Sequence, residues 1–258
     1  MNDILSTGNF DIFEGMTSIS AVIKSIQQNL RNRTIVKILY DQERTQQKSR
    51  ELAFLKKKAS EMGFSLEPTT TDVISSVTSG ETHGGIIALC SKCAIPEMNV
   101  NFLTNGNFYV LLEGIEDPYN FGYSIRSLYA SGVDGIVLPK RNWLEYSGVV
   151  ARSSAGTSEL ANLAVADTEY AAKLFKDNGF SVVCAGIRDS VSIYDYDFKK
   201  PVLLIVGGEK RGISRKLLDM ADANVRIDYG RDFMGSLPSA SAISVIAFEI
   251  ARQKNLKV

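Results

Sequence analysis

Five short, almost uninterrupted apolar runs most constrain what this chain can fold into. They are Phe108 to Leu112 (FYVLL), Gly135 to Leu138 (GIVL), Val182 to Ala185 (VVCA), Val202 to Val206 (VLLIV) and Asn224 to Ile227 (NVRI). A strand with one wet face alternates apolar and polar residues, and these runs do not. They are expected in a parallel sheet whose two faces are both covered by helices. The intervening segments 120–131, about 143–150, 168–178, 213–220 and 239–253 have helical spacing. The pattern predicts an α/β domain of alternating strands and helices.

The first hundred residues carry a less regular alternation. Met16 to Asn29 has helical spacing, Ile35 to Leu39 is a short apolar strand, and Gln42 to Met62 reads as a charged amphipathic helix. Ser65 to Pro68 reads as a strand end, Asp72 to Val77 as a helical turn and Gly85 to Cys90 as a buried strand. These pieces predict a small α/β/α sandwich. The stretch Ile95 to Asn107 (IPEMNVNFLTNGN) is polar and turn-rich, with no clean period. It reads as a linker, giving domains at 1–96 and 107–258 joined by 97–106, both of ordinary size.

Net charge is zero, with 29 Lys or Arg against 29 Asp or Glu, so no global field draws the chain to nucleic acid or membrane. A local patch would have to do so. Residues 31–58 hold nine Lys or Arg against three Asp or Glu, including Arg31, Arg33, Lys37, Lys48, Arg50 and Lys56 to Lys58. They could contact phosphates or simply form a solvated helix face. No basic stretch followed by an apolar run opens the sequence, so no signal peptide is expected. Uncharged apolar runs fall far short of the roughly 20 residues of a membrane span. Three cysteines, Cys90, Cys93 and Cys184, argue against a secreted disulfide scaffold and for the cytoplasm. Cys90 and Cys93 near His83 resemble half a zinc site, but no second pair follows at finger or ribbon spacing. Two semi-buried thiols and no metal are expected.

Ligands of open α/β sheets sit beyond the carboxyl ends of the strands. Three segments lie there. The first is EDPYNFGYSIRSLYASG, residues 116–132. Asp117 is a helix N-cap and Pro118 occupies the first turn. Gly122 and Arg126 are stacked one turn apart. A glycine inside a helix costs about 1 kcal/mol relative to Ala, which makes sense if something packs where its side chain would be. The second is VGGEKRGIS, Val206 to Ser214, whose glycines let a ligand approach the backbone. It is neither a dinucleotide fingerprint nor a P-loop, and Glu209 would repel a pyrophosphate. The third runs from Ile227 through Ser236, Leu237 and Pro238 into a helix whose small residues, Ser239, Ala240, Ala242 and Ser244, suit a close helix contact. Between the first two, Val150 to Thr157 (VARSSAGT) sets an arginine beside small hydroxyls, which is weak evidence for a polar ligand.

Together these segments resemble the SpoU/TrmH family of RNA ribose 2′-O-methyltransferases, of the SPOUT class. The family's first motif, D-P-x-N-x-G-x-x-x-R, is matched by Asp117, Pro118, Asn120, Gly122 and Arg126, with Gly132 beyond. Its G-x-E-x-x-G turn is matched by Gly207, Glu209 and Gly212, and its third motif by Ile227, Ser236 and Leu237. The front part, which ends in TSGETHGGIIAL, is similar to the family's appended RNA-binding domain. The resemblance implies a SPOUT-type α/β domain with a deep trefoil knot, an exception to the rule that chains do not thread loops. It implies S-adenosylmethionine bound at Val206, Gly207, Gly208, Ile227 and Leu237, and a catalytic group of Arg126, Asn120, Glu209 and Ser236. The implied partners are RNA, ribosomal sooner than transfer, and a second copy of the chain.

Two departures bear on activity. The family's usual Asn after Ser-Leu is Pro238, which lacks both an amide side chain and a backbone N–H. Its usual I-P-M reads Ile227-Asp228-Tyr229, with a loop one residue longer. An RNA-binding homodimer that has lost catalysis is therefore the rival expectation. A nucleotide-dependent oxidoreductase ranks lower, since no glycine fingerprint follows the first strand of either part.

Overall fold

The computed structural model describes residues 10–78, 83–103, 106–140 and 147–255. The chain packs as two units. One gathers Met1–Ala94 with Trp143–Leu160, and the other gathers Ile95–Asn142 with Ala161–Val258.

The first unit holds β1 (Phe10–Glu14), α1 (Gly15–Gln27), β2 (Ile35–Asp41), α2 (Ser49–Met62), β3 (Ser65–Thr69), α3 (Thr71–Val77) and β4 (Ile86–Ser91). Its sheet runs β1-β4-β2-β3, with β4 antiparallel to both neighbours and β2 parallel to β3. Strand periodicity sends alternate side chains to opposite faces. Phe13, Ile38, Ile86, Ala88 and Cys90 meet α1 and α2 through Ile19, Val22 and Leu55. Leu39, Ile87 and Leu89 meet Ile74 of α3. This is the α/β/α sandwich expected, with β1 added. The expected continuous helix Gln42 to Met62 is interrupted. The Asp41 carboxylate accepts the Glu43 N–H at 3.0 Å and caps a short 3₁₀ turn, and α2 starts only at Ser49.

Two short helices complete this unit, α5 (Ser147–Ser153) and α6 (Thr157–Leu160), while α4 (Pro118–Ala130) belongs to the other. A helix near 143–150 was expected within the second domain; residues 141–146 lie outside the described ones, and the described part packs on β1 instead. A Cβ on Gly148 would lie 2.3 Å from the Ile12 carbonyl oxygen, so only glycine admits this contact. A buried ionic knot reinforces it. The Arg33 guanidinium donates to Asp11 at 2.6 Å, to Glu159 at 3.0 Å and 3.3 Å, and to the Ser91 carbonyl at 2.6 Å, while lying 4.8 Å over the Phe13 ring. Burial works against that charge, but Glu159 and Asp11 outweigh it and hold the guanidinium above its ordinary pKa.

Much of the basic stretch is therefore spoken for. Beyond Arg33, Lys37 pairs with Glu67, Arg44 with Asp41, Lys48 with Glu51, and Lys57 and Lys58 with Glu61. Arg50 and Lys56 make no ion pair among the described residues.

The second unit is built on β5 (Phe108–Glu113), α4, β6 (Gly135–Pro139), β7 (Leu163–Ala166), α7 (Thr168–Asp177), β8 (Ser181–Ala185), β9 (Val191–Ser192), β10 (Val202–Gly207), α8 (Arg215–Met220), β11 (Ala223–Arg226) and α9 (Ser239–Gln253). All seven strands are parallel, in the order β7-β6-β5-β10-β8-β11-β9. One face packs against α7 and α8 through Tyr109, Leu111, Val182, Leu203, Ile205, Phe175 and Leu217. On α4, Phe121, Ile125 and Leu128 are buried, and α9 packs alongside with Ile243, Ile246 and Ile250 buried. The Ser127 and Ser244 hydroxyls join these two helices at 2.6 Å.

The stretch 97–106, expected as a linker, is partly built into this unit. Pro96 and Met98 exchange backbone hydrogen bonds with Val165 at 2.9 Å and 2.8 Å, and Met98 and Leu103 are buried in its core. Its polar composition hid an edge pairing that needs only backbone groups. The three cysteines are free and buried. Burial pushes the Cys90 and Cys184 thiols up to about 12. Among the described residues no three His, Cys, Asp or Glu side chains converge as a metal site.

Candidate active site at the ends of the parallel strands

The strand order reverses between β5 and β10, which are neighbours although residues 114 to 201 separate them in the chain. Such a switch point opens a crevice beyond the carboxyl ends of the strands. Here the two strand ends nearly touch. A Cβ on Gly208 would lie 1.9 Å from the Gly114 carbonyl oxygen, and one on Gly207 would lie 2.2 Å from the Gly212 carbonyl carbon. Gly114 takes a φ of +83° at this crossing, a left-handed conformation that L side chains resist. The glycines of VGG and LEG are thus required by backbone meeting backbone. The Glu113 carboxylate accepts the Ser214 N–H at 2.8 Å and ties the second turn to the first strand.

Beside this crossing lies a cavity of about 810 Å³. It is walled by the ends of β8, β10 and β11 and by the first turns of α9. Val206, Gly207, Gly208, Ile227 and Leu237, the five residues carried over for the cofactor, all line it. Among the described residues its charged walls are Glu209, Asp228 and Arg226. Asp228 lies below the usual carboxylate range, through a hydrogen bond from Ser192 and the neighbouring Arg226, whose Nε donates to it at 2.9 Å. Two carboxylates against one guanidinium favour a ligand carrying positive charge, and disfavour a pyrophosphate. The volume, apolar walls and exposed backbone groups suit a ligand the size of a nucleoside with a side arm.

Of the four residues carried over as the catalytic group, three assemble. Asn120 Nδ2 donates to Glu209 Oε1 at 2.9 Å. The Asn120 backbone N–H is held by the Asp117 carboxylate at 2.8 Å, the N-cap of α4, with Pro118 in the first turn. Glu209 and Ser236 line the large cavity, and Asn120 and Glu209 line a smaller crevice of about 80 Å³ beside it. Arg126 does not join them. It stands exposed further along α4, lines neither space, and makes no ion pair among the described residues.

The two departures have structural counterparts. Pro238 is the N-cap of α9 and offers no side-chain acceptor; its carbonyl instead takes the Ser241 and Ala242 amides at 2.9 Å and 3.0 Å. An Asn in that position could cap the helix as well as face a substrate. Tyr229 uses its hydroxyl to accept the Leu237 N–H at 3.2 Å, and its ring packs on Phe233 with centroids 5.7 Å apart. The lengthened loop therefore folds back on its own aromatic pair.

Residue reasoning missed one wall. Ala185, Gly186 and Ile187, at the end of β8, line the cavity along with Tyr229 and Phe233. The signal was present. VVCA is followed by Gly186, the same strand-end glycine that drew notice after VLLIV.

Known proteins sharpen the picture. A Shewanella oneidensis protein named as the 23S rRNA (guanosine-2′-O-)-methyltransferase RlmB is 26% identical over 249 residues, covering 95% of this chain and 98% of that protein. A Staphylococcus saprophyticus protein carrying a TrmH-family tRNA/rRNA methyltransferase name is 30% identical over 147 residues, where the match spans 57% of this chain and only 59% of the staphylococcal one. Among solved structures, the AdoMet-bound rRNA methyltransferase of Sinorhizobium meliloti superposes with a TM-score of 0.75 at 25% identity, covering 98% of this chain and 90% of that one. The SpoU rRNA Methylase family profile matches residues 107–248, more than half of the chain. With the glycine crossing, the cavity and the Asn120–Glu209 pair lying inside that span, the chain belongs to the SpoU rRNA methylase family.

Proposed function

We propose that this chain is an S-adenosylmethionine-dependent methyltransferase acting on a ribose 2′-hydroxyl of ribosomal RNA. The observation that carries this reading is the cavity at the switch point, whose charge balance and backbone-lined walls suit a cofactor with a sulfonium and an ammonium. Val206, Gly207, Gly208, Ile227 and Leu237 would hold that cofactor, which supplies an electrophilic methyl group. The RlmB relative, matched over nearly its full length, supports ribosomal RNA as the substrate.

The protein's own part is positioning, which can supply roughly 7–11 kcal/mol of a barrier in favourable cases. Asn120, fixed by Glu209 and by the cap of α4, orients the ribose. Ser236 lines the adjoining large cavity. Arg126 grips a substrate phosphate bidentately and steadies charge growing on the attacking oxygen. The proton leaves to phosphate or water.

A homodimer fits this arrangement. Tyr123 and Tyr129 of α4 and Phe248 of α9 are exposed large rings on the paired helices that also carry Arg126. A second copy covering that face would bury the rings and bring Arg126 to the interface. A C-terminal domain knotted as in the family, an RNA-gripping front unit and a cytoplasmic location complete the reading. Among the described residues no helix is long and apolar enough to cross a membrane.

The test is methyl transfer from radiolabelled S-adenosylmethionine to ribosomal RNA taken from cells lacking the protein. Incorporation that maps to a 2′-O-methyl nucleotide supports the reading. Saturable cofactor binding with no transfer to any ribosomal or transfer RNA favours the rival, an RNA-binding dimer that has lost catalysis; Pro238 at the cap of α9 is the feature that would explain it.

A further inference from the structure

At the junction of β1 and α1 the first unit encloses a cavity of about 320 Å³, none of whose lining residues belongs to the candidate active site. Among the described residues five ionisable side chains line it: Glu14, Lys48, Glu51, His83 and Arg152. Its carboxylates are already engaged. Arg152 donates to Glu14 at 3.0 Å, and Lys48 to Glu51 at 3.1 Å. The requirement left open is for hydrogen-bond acceptors.

Two independent groups create it. The amides of Gly15, Met16 and Thr17 open α1, a helix of 13 residues, and first-turn amides have no partner within a helix. Glu14, at the N-cap, lends them no side-chain bond. Such an end carries roughly half a positive charge. The second group is His83, the only histidine in the chain and 5% exposed. Its Nδ1 accepts the Gly85 N–H at 3.1 Å, so the neutral ring carries its proton on Nε2. Nε2 has no partner among the described residues. Among the described residues Nε2 is not one of the sealed side-chain atoms that lack a partner, and His83 lines the cavity. The turn that presents it is specific: Gly84 and Gly85 have φ of +58° and +76°, and a Cβ on Gly85 would lie 2.9 Å from Arg44 and 3.1 Å from Asp41.

We propose that this cavity binds a phosphate group, presented by the backbone of RNA or by a free phosphate-bearing molecule. The oxygens take the α1 amides and the His83 Nε2–H, while Lys48 and Arg152 supply nearby charge. The inference deepens the reading of the first unit as the one that grips RNA, and gives that grip a site the basic stretch does not provide.

With one histidine in the chain, its ring resonances need no assignment. The experiment follows them by nitrogen-detected NMR on the full-length protein, with RNA binding measured in parallel by fluorescence anisotropy. The titrants are a ribosomal RNA fragment, the same fragment with neutral methylphosphonate linkages, and inorganic phosphate. A shift of Nε2 with native RNA that the neutral backbone abolishes assigns the site to RNA; a saturable shift with inorganic phosphate alone assigns it to a free phosphate compound. In the first case His83→Phe weakens RNA binding about tenfold, as loss of one charge-assisted hydrogen bond would. RNA binding with unmoved histidine signals, and none from phosphate, overturns the site and leaves the RNA-gripping reading standing. Absence of RNA binding together with unmoved signals overturns both.

Discussion

Asn120 Nδ2 donates to Glu209 Oε1 at 2.9 Å, joining the first turn of α4 to the turn after β10 across 89 residues of chain. Each belongs to a different motif. The pair converts two local turn sequences into one site.

If Glu209 works by orienting Asn120, the two act as a unit. Asn120→Ala and Glu209→Ala are each expected to lower kcat on ribosomal RNA by about 100-fold, the scale on which lost positioning is felt. The double variant should be scarcely worse than either single one. Dissociation constants for S-adenosylmethionine, measured by calorimetry, should change far less than kcat. Additive losses in the double variant would mean that the two side chains serve separate steps.

The glycine crossing makes a stability prediction with an internal control. Gly208→Ala places a methyl group 1.9 Å from the Gly114 carbonyl oxygen, and backbone on both sides leaves nothing flexible to give. Overpacking of this kind costs about 1–3 kcal/mol or more. Gly230→Ala meets nothing within 4 Å and should be nearly neutral. Denaturant midpoints for the two variants decide it. A Gly208→Ala protein as stable as wild type would show that the two strand ends do not approach this closely.

How much of this was readable beforehand depends on where the information lives. The five apolar runs are strands within one or two residues of expectation, because burial on both faces leaves its mark on every residue of the run. Leu163–Ala166, Val191–Ser192 and Phe10–Glu14 escaped notice. The first two are very short, and the third alternates only weakly before a helix. Asn120, Glu209 and Ser236 were found through motif spacing, and spacing could not say that Arg126 would stand apart from them within one chain. The Tyr229 hydroxyl on the Leu237 amide depends on a loop closing upon itself, which no periodicity records. Arg33 was read as a candidate phosphate contact. Its burial follows from two carboxylates distant in sequence, Asp11 and Glu159.

That buried knot gives a third prediction. Arg33→Ala leaves Asp11 and Glu159 charged and unpaired in a dry interior, which typically costs about 3–5 kcal/mol. Arg33→Met with Asp11→Asn and Glu159→Gln keeps the volume and removes the charges, so it should recover much of the loss. Thermal unfolding of the two proteins tests this. Equal destabilisation in both would assign the cost to lost hydrogen bonds and packing instead of to stranded charge.

The last prediction concerns acid. Asp222 closes the turn between α8 and β11: its Oδ2 accepts the Val182 N–H at 2.9 Å while its own N–H donates to the Val182 carbonyl at 2.8 Å, and Lys176 approaches Oδ1 at 2.7 Å. Partial burial alone would raise its pKa, but Lys176 and the Val182 amide outweigh that and hold the carboxylate below its usual range. A folded-state pKa below the unfolded value of about 3.9 contributes stability that is present above pH 4 and lost as pH falls through the lower, folded value. The side chain is 40% exposed, so screening keeps the contribution to about 0.5–1 kcal/mol. Asp222→Asn should therefore lower the melting temperature by a similar step at pH 7 and pH 5. As pH falls below 4 and through the lowered folded-state value, that difference shrinks and the two curves should converge. Other carboxylates titrate in both proteins and cancel from the difference. A gap that stays constant as pH falls through this range would mean that the charge of Asp222 contributes nothing and that the substitution acts through the shape of the turn.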